Sequence, residues 1–256
     1  MGFQVCVLAS GSKGNALYLS SGETRLLIDC GLSAQEIARR LEAIGVSPSD
    51  LDAILVTHEH KDHMGGVGVF SRKWNVPCYL SYPTLKGVSP SHLKDVFITE
   101  FEAGKGFCLR DLYIEPVAIP HDAADPVAFV VTDGERKVGI ATDMGKTTAL
   151  LVERFRGCDL LVMEFNHEPV ILKNGPYPWH LKQRIRGTMG HLSNQEAATF
   201  LEAVKTPSLK GVFLAHLSET NNCPALALKA AEEAVSGVDI PLYLTHQDRE
   251  SMVVTV

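Results

Sequence analysis

No apolar run in this 256-residue sequence reaches the ~18–20 residues that a membrane-spanning helix needs. The opening MGFQVCVLASGSKGN lacks the basic start and apolar core of a secretory signal. It also has Cys6 where a myristoylation signal places Ser or Thr. The six cysteines (Cys6, Cys30, Cys78, Cys108, Cys158 and Cys223) form no C-x-x-C pair, which argues against a thiolate zinc site and a disulfide framework. They read as reduced thiols in a cytoplasmic chain, most of them small hydrophobes inside apolar runs. A net charge of −6 excludes a globally basic nucleic-acid surface, so any polyanion has to be attracted locally. No Pro/Gly/Ser-rich linker or short-period repeat divides the chain, so residues 1–256 read as one domain. Its 45% hydrophobic content is enough for a large core.

The first third alternates β-like runs with turns: FQVCVLAS, ALYLSS and ETRLLIDCG, separated by SGSKGN and a second turn. Ser33, with Glu36 three residues on, predicts a capping box for a helix ending at Gly45. LDAILVTH predicts a buried strand, GGVGVFSRKWN a helix, and VPCYLS another strand. The middle is mostly β, from FCLRDLYIEPVAIPH to DPVAFVVTDGERKVGIATD, with DGE as a hairpin turn. The last third alternates strand and helix: DLLVMEFN, NQEAATFLEAV, LKGVFLAHLS, PALALKAAEEAVSG, IPLYLT. Hairpins followed by strand–helix alternation predict two packed sheets with helices outside, a four-layer αββα sandwich.

Six apolar runs end in a group able to bind a proton or a metal: Asp29, His58, His121, Asp143, Glu164 and His216. Ligands of layered α/β proteins gather at the carboxyl ends of strands, so these six predict one convergent site. The densest segment is THEHKDH. In an extended stretch His58 and His60 project to one side and can clasp a cation. A helix starting near Asp62 would put Asp62 and His63 in its first turn, within reach of a second cation. With no Cys involved, the set favours zinc, manganese or iron.

H-x-H-x-D-H after a buried strand, preceded by the Asp-Gly region of LLIDCGLS, resembles the metallo-β-lactamase fold. With ASGSKGNA, IPHDAADPVAF, ATDMG, EFNHE, YPWHLKQRIRGTMGHLSN and LAHLSETNN, the chain resembles the bacterial YycJ (WalJ) group of hydrolases. That group is DNA-exonuclease-like and related to the ribonuclease Z phosphodiesterase branch. The resemblance implies two divalent metal ions, zinc or manganese with iron as an alternative. His58, His60 and His121 would hold one; Asp62, His63 and His216 would hold the other; Asp143 would bridge them. Asp29 would orient the ligand loop, and Asp122 beside His121 could join or replace it. A hydroxide between the cations would be the nucleophile, oriented by Asp62. Glu164 would raise the pKa of His191, making that imidazole a general acid for the leaving oxygen. His167 would touch substrate or the groups behind the metals, and His92 and His246 read as structural.

Lys173 to Gly187 carries Lys173, Lys182, Arg184 and Arg186 without an acid, interleaved with Tyr177 and Trp179. Cations for phosphates and rings for bases fit a nucleic-acid strand, with Lys182, Arg184 and Arg186 as the substrate-binding set. A solvated helix face over buried rings is the competing reading. SGSKGN could also offer backbone N–H groups to a phosphate. The expected activity is metal-dependent phosphodiester hydrolysis on DNA or RNA. The alternatives are a small-molecule phosphodiesterase, a thioester or lactone hydrolase, and a metal-stabilised binding protein.

Overall fold

The computed structural model describes residues 2–256. Its first half builds one sheet from β1 (Gln4–Ala9), β2 (Ala16–Ser20), β3 (Arg25–Ile28), β4 (Ala53–Leu55), β5 (Cys78–Ser81) and β6 (Ile98–Phe101). The second half builds another from β7 (Phe107–Leu109), β8 (Leu112–Ala118), β9 (Val127–Thr132), β10 (Lys137–Ala141), β11 (Leu160–Glu164), β12 (Gly211–Ala215) and β13 (Leu242–Leu244). Each runs in sequence order, except that β14 (Val254–Thr255) returns to pair with β1. Both change character midway: β1–β2–β3 and β7–β8–β9–β10 are antiparallel, whereas β3 to β6 and β10 to β13 are parallel. Parallel strands need crossovers, and helices supply them: α1 (Ala34–Ala43), α2 (Lys61–Met64), α3 (Val67–Trp74) and α4 (Tyr82–Gly87) in the first half. The second half has α5 (Ala149–Phe155), α6 (Pro169–Asn174), α7 (Trp179–Ile185), α8 (Asn194–Val204) and α9 (Pro224–Ala234).

The apolar runs are continuous because both faces of each sheet are covered. Val5, Val7, Leu26, Ile28 and Leu55 point between the sheets and meet Phe129, Val138, Ile140, Leu160, Val162 and Phe213. Their neighbours turn outward: Cys6, Leu8, Leu27 and Ile54 pack under Ile37, Leu41, Val67 and Phe70 of α1 and α3. On the other side Leu161, Met163, Val212 and Leu214 pack under Phe155, Phe200, Leu201, Ala227 and Ala231. The result is the expected helix–sheet–sheet–helix sandwich, one domain along the whole chain.

The mostly-β middle holds, with Arg110 at φ 53° turning β7 back onto β8 within FCLRDLYIEPVAIPH. One local expectation changes. Ser33 caps α1, but Glu36 does not return a bond to it: its carboxylate is taken by Arg39 and Arg40. The complete capping box is at Ser193 and Glu196, opening α8.

Candidate metal centre

Both parallel halves end their strands at one seam between the sheets, and the predicted polar residues meet there. Asp29 follows β3 directly, His216 follows β12 directly, and Asp143 lies two residues beyond β10. All three have left-handed backbone, at φ 61°, 54° and 60°. They make up half of the six non-glycine residues with positive φ among the described residues. Such conformations cost about 1–3 kcal/mol each and persist where the surroundings over-determine them. Here each one turns the chain sharply as the strand ends, leaving its side chain at the seam.

In the first half, Thr57 and Asp29 set the imidazoles. The Asp29 carboxylate accepts from Thr57 N (2.9 Å) and the Thr57 hydroxyl, and its Oδ2 lies 2.7 Å from His63 Nδ1. Thr57 Oγ1 also lies 3.0 Å from His58 Nδ1. His58 Nε2 is thereby left 3.0 Å from His60 Nδ1, and His121 Nε2 lies 3.4 Å from the same atom. His121 is fixed in the same way, since its Nδ1 is 3.1 Å from the Gly190 carbonyl oxygen. Three ring nitrogens thus crowd one point while Thr57 and Gly190 occupy the outer nitrogens of His58 and His121.

A second group lies alongside. His63 Nε2 is 3.0 Å from Asp143 Oδ2 and 3.6 Å from Asp62 Oδ2; His216 Nε2 is 3.6 Å from Asp143 Oδ1 and 3.9 Å from Asp62 Oδ2. His216 Nε2 is buried without a hydrogen bond, and Asp143 Oδ2, buried too, meets only the His63 ring nitrogen. Buried donors and acceptors are rarely left so, and leaving one unmet costs about 1–3 kcal/mol. Among the described residues, His58–His60–His121, Asp62–His63–His216 and His58–His63–Asp143 each bring their donor atoms within 4.8 Å of one another. Imidazole and carboxylate donors without thiolate fit a divalent cation of intermediate hardness. Asp122 is not in these sets: its Oδ2 accepts from Arg184 Nε at 2.6 Å, while its Oδ1 lies 3.4 Å from His121 Nε2 at the cavity wall.

Glu164, fully buried, lies behind Asp143, His191 and His216. Its Oε1 accepts from Met144 N and Leu192 N, and its Oε2 from Asp143 N. Oε2 also lies 2.9 Å from His191 Nδ1 and 3.1 Å from His216 Nδ1. Burial works against the charged carboxyl, but the His191 and His216 imidazoles win and bring Glu164 down to about 2. His191 responds reciprocally: despite burial, the Glu164 carboxylate holds it above the ordinary imidazole value. His216 rises to about 10, where Asp143, Asp62 and Glu164 outweigh its burial. His58 goes the other way, pushed well below by burial and by neighbouring His63.

The centre opens into a cavity of about 270 Å³ whose wall includes His191, Tyr177, Leu181 and Arg184. The predicted basic set divides here. Arg184 reaches this cavity, whereas Lys182 and Arg186 line another cleft together with His167. Lys182 also donates from Nζ to the carbonyls of Lys173 and Gly175, tying α7 to the end of α6. In SGSKGN most backbone donors already have partners: Gly11 N on Asn15 Oδ1, Gly14 N on Gly11 O, Lys13 N on Gln247 Oε1, Asn15 N on Asp62 O. The turn braces the Asp62 loop, and Ser12 lines the cavity. His92 is 2.9 Å from the Met64 carbonyl oxygen and supports the end of α2.

Several participants escaped the sequence reading. Asn15 Nδ2 lies 2.9 Å from His63 Nε2 and 3.3 Å from Asp62 Oδ2. Ser10 Oγ accepts from His216 N at 2.6 Å, and Asn166 Nδ2 donates to the His216 carbonyl. Ser10, Asn166 and Thr57 all lie within one or two residues of a strand end, a signal that proximity to the Asp and His positions could have raised.

The family model described as a beta-lactamase superfamily domain matches residues 24–216. The exodeoxyribonuclease WalJ of Streptococcus pneumoniae serotype 2 (strain D39 / NCTC 7466) is 37% identical over 259 residues, covering 97% of this chain and 96% of that protein. The exodeoxyribonuclease YycJ of Bacillus anthracis is 35% identical over 241 residues, covering 92% and 90%. Among solved structures, the metallo-beta-lactamase fold protein YhfI from Bacillus subtilis superposes over the whole of both chains with a TM-score of 0.76 at 16% identity. Fold, donor clusters and full-length similarity agree: the chain belongs to the beta-lactamase superfamily, as a metal-dependent hydrolase of the metallo-β-lactamase fold.

Proposed function

We propose that this protein is an exonuclease that hydrolyses phosphodiester bonds at the end of a DNA strand with two divalent cations, zinc or manganese. The observation carrying this reading is the pair of donor sets with Asp143 between them, 3.9 Å from His121 Nε2 and 3.0 and 3.6 Å from His63 and His216 Nε2, and Glu164–His191 beside them. A purely structural metal site has no use for that proton-donating pair. Full-length similarity to two exodeoxyribonucleases supplies the DNA substrate.

In this reading His58, His60 and His121 would hold one cation, Asp62, His63 and His216 would hold the other, and Asp143 would serve both. Bound there, the cations supply positive charge to phosphoryl oxygens and lower the pKa of water. The protein's own groups do the rest. Asp29 and Thr57 fix the ring orientations, as partners behind ligating imidazoles do. Asp62, one-quarter exposed at the cavity, orients the attacking water. Arg184 at the mouth draws in the phosphate. His191, whose protonated form is favoured by Glu164 beside Nδ1, presents its other nitrogen to the leaving oxygen and donates a proton. The cavity of about 270 Å³ has the scale of one nucleotide, which suits a strand end better than the middle of a duplex.

The test is purification with Mn²⁺ or Zn²⁺ and assay on end-labelled DNA, end-labelled RNA and bis-p-nitrophenyl phosphate. Stepwise shortening of DNA is expected. Turnover of the chromogenic ester with neither polymer cut would replace this reading with a small-molecule phosphodiesterase.

A further inference from the structure

Helix α7 separates two clefts. Leu181, Arg184 and Ile185, spaced three and four apart, face the metal centre. Trp179, Lys182 and Arg186, spaced three and four apart on another face, look into a cleft of about 360 Å³ between α6, α7 and the start of α8. The chemistry of this second cleft is one-sided. Lys173, Lys182 and Arg186 contribute three cations, and among the described residues neither Lys173 nor Arg186 meets a carboxylate. The one acid in its wall, Glu196, is committed through Oε2 to the backbone N–H and hydroxyl of Ser193. Trp179, 66% exposed, offers an uncovered indole, and Leu172 adds an apolar wall. His167, 3% exposed, lies against the cleft and has a buried Nδ1 with no partner. A ring, unpaired cations and an unmet ring nitrogen around a nucleotide-sized space match a base with its phosphate.

We propose that this cleft holds a nucleotide unit of the same strand whose end lies in the metal centre. The base stacks on Trp179, and the phosphate sits on Lys173 and Arg186. This rests on the nucleic-acid reading above. Arg184 and Arg186, on either side of one helix, then grip the strand on both sides of it. The cleft would favour long strands over short ones without touching the reacting bond.

The experiment combines kinetics with a local probe. The chain has two tryptophans, so Trp74→Phe leaves Trp179 as the reporter. In metal-loaded protein, a phosphorothioate-linked oligothymidylate should quench Trp179 emission at concentrations where thymidine monophosphate does not. In separate variants, Trp179→Ala and Arg186→Glu should each lower kcat/KM for a long thymidine strand about tenfold relative to kcat/KM for bis-p-nitrophenyl phosphate, chiefly through KM. A strand that is degraded with an unchanged ratio and an unquenched Trp179 would overturn the cleft while leaving the nuclease intact. Equal quenching by strand and mononucleotide, with an unchanged ratio, would overturn it in favour of a free-nucleotide site. A wild-type protein that neither cuts nor binds any strand would remove both readings.

Discussion

At the residue scale the centre depends on a few buried charges whose partners are fixed. Asp143 is the sharpest case, with left-handed backbone and four histidines around its carboxylate. Asp143→Asn keeps the shape and tolerates positive φ. It should nevertheless lower turnover by about 10³-fold or more and reduce the metal bound per chain, as read by elemental analysis of the folded variant. A variant with full metal content and activity would refute the shared-ligand assignment. His191 calls for a pH profile. Glu164 holds its pKa above the ordinary imidazole value, so activity should fall as pH rises through that raised value. Glu164→Gln removes the charge and should move the alkaline limb to lower pH; His191→Ala should remove it and cost about 10²–10⁴-fold in kcat.

At the scale of elements, the Asp62 loop is held by backbone contacts that leave no room for a side chain at Gly31. A Cβ there would lie 1.6 Å from Asp62 O and 2.8 Å from Asn15 N, the two atoms of a 2.7 Å hydrogen bond. Gly31→Ala should therefore displace α2, lowering metal affinity and kcat at least about tenfold, with a stability loss of about 1–3 kcal/mol in a denaturant titration. Wild-type metal affinity in that variant would show that the loop is not positioned this way. The strands carrying the site were legible because their apolar runs stop at an Asp, Glu or His, a pattern that survives without knowledge of partners. What lies across space was not legible. Glu36 satisfies the capping-box spacing, yet two arginines on its own helix compete for it. Helix α7 has no side-chain cap and follows Pro178, so its basic residues read as one stripe until packing divided them between two clefts. Thr57, Asn15 and Asn166 act through contacts that sequence order does not announce.

At the scale of the molecule, both sheets contribute to both donor sets, so cations and fold are thermodynamically linked. Without metal, the raised imidazoles of His63, His191 and His216 add stability that is complete below about 6.5 and lost as pH rises, for His216 through about 10. His58 and His121, depressed by burial, work in the opposite sense, adding stability above their folded values that is complete only near 6.5. The depressed carboxyls of Asp143 and Glu164 contribute above their unfolded values and lose that contribution as pH falls, for Glu164 through about 2. Chelated protein should therefore melt at its highest temperature near pH 6.5 and at progressively lower temperatures up to about pH 10. Added Zn²⁺ or Mn²⁺, which binds neutral imidazole, should cancel or reverse the alkaline decline in scanning fluorimetry; parallel curves with and without metal would refute the linkage. Because residues up to Phe101 complete six strands of the first sheet while His216 comes near the end of the second, synthesis order matters. A ribosome that stalls between the THEHKDH segment and that histidine releases a chain bearing those imidazoles but lacking the last donor of the second set, so the blade is assembled only once most of the chain has been made.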